Sequence, residues 1–347
     1  MTSKRGKTVL NKALCLVTGG AGAIGSHLVW VLIEQGAEVD ILDDLSTGRL
    51  SNLPSAGHVR LFKEDITAPN LAALLRGRRY RYVFHLAAHF ANALSVEEPR
   101  RNLDVNLLGT LNLLQALDLD GLERFVFASS SCVYGPHGCA EESFPMLPGN
   151  LDTPYAIGKL AAEALVGFWH RHYGLPAVIL RYFNTYGPHD WPGTARSVIP
   201  NFFARALRGQ PLQIAGTGDE IRDFTYVADT IAATLAAAAN EGAVGGTFNI
   251  GTGCGTTIKE LGDKINALTG NRAGLVFVSR RTWDRCRERV AQIGRARRVL
   301  GYAPSVGLDE GLALTRDWIS TRLDCARRQA GNSVIDHSGG ASLSPRI

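Results

Sequence analysis

Between Leu14 and Ile33 the chain runs from an apolar stretch through a glycine-rich turn into a second apolar stretch. Leu14-Cys-Leu-Val-Thr18 has the length of a buried strand. Gly19-Gly20-Ala21-Gly22-Ala23-Ile24-Gly25 follows at once, and Ser26 to Ile33 has the texture of a packed helix. Glycines permit the tight turn and let the backbone approach a pyrophosphate at the helix N-terminus. A second apolar run, Ala37 to Leu42, ends in Asp43, 18 residues after Gly25. A carboxylate at that spacing is placed to hold an adenosine ribose, and its charge favours NAD by repelling a 2′-phosphate. Strand, turn, helix and acid in register predict a dinucleotide-binding unit.

The alternation continues. Val59 to Phe62, Tyr82 to Leu86, Arg124 to Ala128 and Ala177 to Tyr182 read as strands. Asn70 to Arg76, Val96 to Leu117 (one long helix) and Pro154 to Tyr173 read as helices between them. Repeated right-handed strand–helix–strand units give a parallel sheet covered on both faces. The expected class is α/β, a Rossmann-type doubly wound sheet with a smaller α/β lobe at the C-terminal end. After residue 184 a turn-rich loop leads to a helix over Val198 to Leu207. Short strands at Leu212–Ala215, Phe248–Ile250 and Leu275–Val278 follow, with a helix over Ile258 to Leu268. The expected division is a basic tail at 1–12, the dinucleotide unit at 13–183, a substrate lobe at 184–325 that interleaves with it, and a disordered polar tail at 326–347.

Two motifs carry chemistry. Tyr155-Ala-Ile-Gly-Lys159 puts a phenol and an ammonium four residues apart, on one face of a helix. A cation beside a phenol favours phenolate, so Tyr155 is expected to act as a base below its free pKa of about 10. Ser129-Ser130-Ser131-Cys132 follows the strand Arg124 to Ala128, which places hydroxyls at a strand's carboxyl end, where open α/β sheets keep their sites.

Composition excludes several classes. The chain has 347 residues, 45% apolar and 20% charged, as in soluble enzymes. No apolar stretch has the length of a membrane helix, and the basic N-terminus lacks a following export segment, so a cytoplasmic location is expected. The net charge of +5 comes largely from arginines between Arg280 and Arg298. Few aromatics interleave them and no nucleic-acid module is present, so they read as one or two phosphate ligands on an otherwise solvated face. Six cysteines show neither metal nor disulfide spacing, and Cys15 falls in a strand. No metal is expected.

These motifs together resemble the extended short-chain dehydrogenases/reductases, specifically the NAD-dependent nucleotide-sugar epimerase/dehydratase family. The likeness runs from Leu14 to Trp318. It includes Leu42-Asp-Asp-Leu-Ser-Thr-Gly48, His85-Leu-Ala-Ala88, Arg181-Tyr-Phe-Asn-Thr-Tyr-Gly-Pro188 and Arg222-Asp-Phe-Thr-Tyr-Val-Ala-Asp229. The Asp-Asp-Leu-Ser-Thr-Gly stretch is most similar to UDP-galactose 4-epimerases. The resemblance implies that Gly19, Gly22, Ala23, Ile24, Gly25 and Asp43 hold NAD, and that Asp44, Ser46, Thr47 and Gly48 extend that site. Asp65 and Ile66 would flank adenine, and Ala87 would line the nicotinamide path. Leu86, Ala88, His89, Asn106, Ser129 and Tyr182 are further cofactor contacts that it implies. Tyr155 would take the proton of a sugar hydroxyl, Ser130 would be its hydroxyl partner, and Lys159 would lower the phenol's pKa and bind the nicotinamide ribose. Asn92, Ser131, Asn184, Val198, Gln213, Arg222, Arg281 and Asp284 match contacts to a nucleotide-diphospho-sugar. A homodimer joined through a four-helix bundle is implied as well.

One position departs from part of the family. Dehydratases and glucuronate decarboxylases carry glutamate where this chain has Cys132, and the dehydratases carry aspartate at Ser131. GDP-mannose 3,5-epimerases have a catalytic cysteine at that spot, where a thiolate can remove the acidified proton on carbon 5 or 3 of a 4-keto sugar. They pair it with a lysine from the loop before the Val198 helix. Here that loop, Gly193 to Ser197, has none. Packing as a small apolar side chain is the alternative for Cys132. The expected function is UDP-hexose 4-epimerisation through a transient 4-keto sugar. The alternatives are a 3,5- or 5-epimerase or 5,6-dehydratase using Cys132, and a non-catalytic NAD-binding regulator on the same scaffold.

Overall fold

A computed structural model describes residues 10–335, apart from 56, 138–140, 147 and 194–196; at 148 and 323–335 it describes the backbone alone. In chain order the first elements are β1 (Leu14–Thr18), α1 (Gly25–Glu34), β2 (Glu38–Leu42), β3 (Val59–Phe62), α2 (Leu71–Leu75) and β4 (Tyr82–His85). Next come α3 (Asn92–Glu97), α4 (Pro99–Leu103), a π-helical turn over Asp104–Leu108, α5 (Gly109–Ala116), β5 (Arg124–Ser130), α6 (Pro154–Tyr173) and β6 (Ala177–Tyr182). The remainder is β7 (Thr185–Tyr186), α7 (Val198–Ala206), β8 (Leu212–Ala215), β9 (Ile221–Arg222), β10 (Thr225–Tyr226), α8 (Val227–Ala239) and β11 (Thr247–Ile250). It closes with β12 (Thr256–Thr257), α9 (Ile258–Thr269), β13 (Leu275–Val278), β14 (Glu288–Arg289), α10 (Gly294–Leu300) and α11 (Leu308–Ile335).

Seven parallel strands form the central sheet in the order β11-β6-β5-β4-β1-β2-β3. Their apolar runs alternate sides with the two-residue period of a strand. Cys15 and Val17 enter one apolar layer while Leu16 enters the other; Phe84 and Val83 divide in the same way. Burial on both faces is the reason these strands read as continuous apolar runs. The strand order reverses at β1, whose neighbours are β2 and β4, and that switch point opens a crevice at the carboxyl ends. Thr18 pairs with His85 there, and Ser130 with Tyr182.

Helix α6 has defined ends. Thr153 Oγ1 accepts the amide of Ala156, Pro154 occupies the first turn, and Gly174 closes the helix in the left-handed region at φ +70°. Inside it, Glu163 accepts Arg181 Nη2 at 2.7 Å and Nε at 3.0 Å from β6, and also accepts Ser129 Oγ from β5. Both charges are buried, and Arg181 goes on to Tyr134 Oη at 2.8 Å. In the C-terminal lobe the fully buried Asp223 gathers the amides of Thr252, Gly253 and Ala291 with the Thr252 hydroxyl.

Several expectations change. The long helix over 96–117 is broken, because Pro99 cannot continue α3 and instead starts α4. Helices α8, α10 and α11 were not read from the sequence. The alanine-rich Ile231 to Ala239 carries too little amphipathic contrast to signal α8, and α10 has only seven residues. Strand β11, expected in the smaller lobe, lies at the edge of the central sheet beside β6. Backbone residues 326–335, expected disordered, are the end of α11; residues 336–347 and 1–9 lie outside the described residues. No described helix is long and apolar enough to cross a membrane.

Removing one partner of a buried ion pair strands the other charge. Glu163→Ala is therefore expected to destabilise the fold by about 3–5 kcal/mol, read as a lower midpoint in urea unfolding with an unchanged slope.

Candidate active site

One cavity of about 1020 Å³ runs along the carboxyl ends of β1, β2, β4, β5 and β6 and under the C-terminal lobe. Its first end is the glycine turn. Gly19 sits at φ +70°, and a Cβ there would lie 2.7 Å from the Ala87 nitrogen; a Cβ on Gly25 would lie 2.2 Å from the Gly19 oxygen. The turn thus closes only with glycine at both places. No side chain caps the start of α1, which leaves the helix N-terminus to an anion. The cradle fits the pyrophosphate of NAD.

Asp43 is buried at the end of β2. Its carboxylate accepts the amides of Ala21 and Leu45, both at 2.9 Å, so it braces the glycine turn. Burial pushes its pKa up, and those two amides oppose the rise. Asp44, Ser46, Thr47, Asp65 and Ile66 line the same end of the cavity. Arg101, which sequence reasoning passed over, bridges Asp65 at 2.6 Å and Asp44 at 3.5 Å. Gly48 packs on Ala21 and Asp43 behind the wall instead of lining it. Asn106 also stands behind: its Oδ1 accepts the His89 amide at 3.0 Å, and its Nδ2 donates to Asn102.

A buried hydrogen-bond chain fixes the middle of the wall. The Ala87 amide donates to Thr18 Oγ1 at 3.1 Å, leaving the threonine hydroxyl to donate to His85 Nδ1 at 2.7 Å. His85 then carries its proton on Nε2, donating to Thr110 Oγ1 at 2.9 Å, and Thr110 donates to the Asn106 oxygen. Burial, with the Lys159 charge, pushes His85 down to about 3, so the ring is neutral. It supports the backbone of Ala87 and has no acid–base duty. Leu86, Ala87, Ala88 and His89 line the cavity beside it.

At the chemical centre, α6 presents Tyr155 and Lys159 on its buried face, opposite the end of β5. Tyr155 is hydrogen-bonded to Ser130, and the edge of Phe90 meets its ring at 6.1 Å. Ser130 Oγ also accepts the Cys132 amide at 3.2 Å. Ser129, expected as a cofactor contact, donates its hydroxyl to Glu163. Burial pushes the Tyr155 phenol well above its ordinary value, the neighbouring Cys132 adds to this, and the Ser130 hydrogen bond opposes it. Lys159 Nζ donates to the Ala128 oxygen at 2.8 Å and stands over the Phe127 ring. Burial lowers this ammonium to about 8. The expected depression of the phenol by its neighbouring cation is thus not present: full burial outweighs it, and the cation is engaged by a carbonyl.

Cys132 Sγ accepts Asn92 Nδ2 at 3.3 Å and Arg289 Nη1 at 3.5 Å. Asn92 is held in turn by the Thr153 hydroxyl at 2.7 Å. Ser131, Tyr182, Asn184, Val198, Gln213, Arg222, Arg281 and Asp284 all line the far half of the cavity. Asn184 Nδ2 donates to the Asp223 oxygen, and Arg222 pairs with Asp284 at 3.4 Å while donating to the Cys286 oxygen at 3.0 Å. His189 is stacked on His27 with its Nδ1 2.8 Å from Ser26 Oγ; burial lowers it to about 4. Glu163 and Arg289, like Arg101, are residues that sequence reasoning missed. Glu163 continues the Tyr155, Lys159 spacing by four, a signal that was present. Arg289 lies among arginines whose burial no local pattern distinguishes.

Comparison with known proteins shows the family. The model of the NAD dependent epimerase/dehydratase family matches residues 15–251. A UDP-glucose 4-epimerase of Mycolicibacterium smegmatis is 37% identical over 313 residues, covering 88% of this chain and 98% of that protein. A UDP-N-acetyl-alpha-D-glucosaminuronate decarboxylase of Bacillus cytotoxicus is 33% identical over 317 residues, covering 88% and 98%. The structure of UDP-glucose 4-epimerase from Thermotoga maritima with UDP-glucose superposes with a TM-score of 0.82 at 36% identity, over 89% of this chain and 99% of that one. A glycine cradle, a braced Asp43 and a Ser130–Tyr155–Lys159 centre thus occur in a chain that belongs to the NAD-dependent epimerase/dehydratase family.

Proposed function

We propose that this chain inverts carbon 4 of a UDP-hexose through a transient 4-keto sugar, retaining its NAD between turnovers. The observation that carries the reading is the Ser130–Tyr155 hydrogen bond beside Lys159, with serine and cysteine at 131 and 132. Expelling water by the dehydratase pattern needs acids at those two positions, and the decarboxylase pattern needs one at 132. Neither pattern is met.

Bound NAD would supply a hydride acceptor and a cationic ring, held by the glycine turn, Asp43 and Lys159. Tyr155 acts as the phenolate, a form that the cationic ring of bound NAD would favour against the burial that opposes it; its Oη then receives the proton of the carbon-4 hydroxyl, with Ser130 Oγ sharing a hydrogen bond to the same oxygen. The same phenol returns the proton after the ketone has presented its other face. Tyr182, Ser131 and Asn92 bound the space in which the sugar turns.

A second reading has its own support. The Asn92 amide and the Arg289 guanidinium both approach Cys132 Sγ, an arrangement able to steady a thiolate that exchanges a proton at carbon 3 or 5. Proton NMR of UDP-glucose and UDP-galactose incubations in deuterated water separates the readings. Carbon-4 inversion without deuterium uptake is expected. Deuterium at carbon 3 or 5, lost in Cys132→Ser, would select the thiol mechanism.

Tyr155→Phe is expected to lower kcat by roughly 10³-fold while NAD still co-purifies, measured as nucleotide released on denaturation. Substantial surviving turnover would remove Tyr155 as the base. Lys159 makes a pH prediction. Burial depresses its pKa from 10.5 to about 8, so the cation disappears as pH rises through 8 and not through the free value. The rate is expected to fall on the alkaline side with that midpoint; a rate that climbs through pH 10 would show that ionisation of the phenol governs instead.

A further inference from the structure

Arg289 is a buried cation that pairs with no carboxylate among the described residues. It is 8% exposed, its Nη2 donates to the Gly135 oxygen at 3.1 Å, and its Nη1 reaches Cys132 Sγ. Its Nε has no hydrogen-bond partner among the described residues. Cys132 and Cys286 are the neighbours that favour its charge most; Asp284 and Asp152 follow from a distance, but these two carboxylates are paired with Arg222 and Arg285. Burying a cation is costly unless an anion and hydrogen bonds meet it. Here a carbonyl and a sulfur meet part of the guanidinium, and the balancing charge is left to a ligand.

Position decides which part of the ligand that is. Strands β9 and β14 run parallel with Arg222 opposite Arg289. Arg222 pairs with Asp284, whereas Arg289 makes the direct contact to Cys132, two residues from Ser130 and close enough to act on Tyr155; the two cations lie near enough to act on each other. The two cations therefore serve successive stretches of one ligand. On the nucleotide-sugar reading, Arg222 would face the diphosphate, and Arg289, next to the reacting phenol, the sugar ring. A neutral hexose offers nothing to offset a buried guanidinium there. A planar carboxylate does, because it accepts two N–H groups from the guanidinium fork.

We infer that the sugar taken by this site carries a carboxylate, as a hexuronic acid does, and that Arg289 receives it. The inference rests on the nucleotide-sugar reading above and narrows its substrate to the acidic sugars. Calorimetry on the full-length protein with UDP-glucuronate, UDP-glucose and UDP tests it. UDP-glucuronate is expected to bind about 100-fold more tightly than UDP-glucose. Arg289→Gln should erase that preference, and Arg289→Lys should keep part of it. UDP binding by each variant reports an intact site, and if the glutamine variant fails that control, the wild-type preference and the lysine variant decide. Equal wild-type affinities for the two sugars would overturn the inference. So would a glutamine variant that weakens both sugars by one factor, which would put Arg289 on the diphosphate. Product NMR keeps the two proposals apart. Selective binding of UDP-glucuronate without carbon-4 inversion sustains the role of Arg289 and removes the epimerase. Inversion of UDP-glucose without any preference does the reverse.

Discussion

Glu163 holds the active centre in place. It lies one helical turn beyond Lys159 and two beyond Tyr155, and it grips Arg181 on β6 and Ser129 on β5. That grip fixes both the rotation and the height of α6 against the sheet, so the phenol meets the Ser130 hydroxyl and the ammonium meets the Ala128 carbonyl. Arg181 extends the hold through Tyr134 to Asn249 on β11, which ties the serine turn to the last strand of the sheet. A buried ion pair is a weak source of net stability but a strong source of geometry, and geometry is what proton transfer over one hydrogen bond requires.

The same logic separates residues that do chemistry from those that support it. His85 ends a strand inside the site, yet its ring is neutral and spends both nitrogens on threonines. Asp43 points at the cofactor end, yet both its oxygens accept amides of the glycine turn and its neighbour. Each keeps a backbone stretch in the shape that a ligand needs. The cost of burying these groups is met by hydrogen bonds that also set the loops.

Much of this was legible in the sequence, for reasons that can be named. β1, β3, α6, β6, β8 and β13 have the expected bounds because each combines a clear period with turn or cap residues at its ends. The glycine turn and the tyrosine–lysine spacing carry their meaning locally, so the core of the site could be read from them. Pro99 marked the break between α3 and α4, but the leucines beyond it masked the signal. Arg101 and Arg289 were out of reach because their roles depend on partners far along the chain, Asp65 for one and Cys132 for the other. The phenol's electrostatics also escaped, since spacing predicts a neighbouring cation but not how deeply both groups are buried.

Strand β11 has a consequence for how the chain is made. It covers the edge of β6 but lies some seventy residues downstream, after α7, α8 and the short strands between them. A nascent chain that has emerged only as far as β6 exposes an apolar, unpaired strand border carrying the buried end of Arg181. Completing the sheet must wait for synthesis to reach Ile250, and until then that border is the segment most open to pairing with another chain.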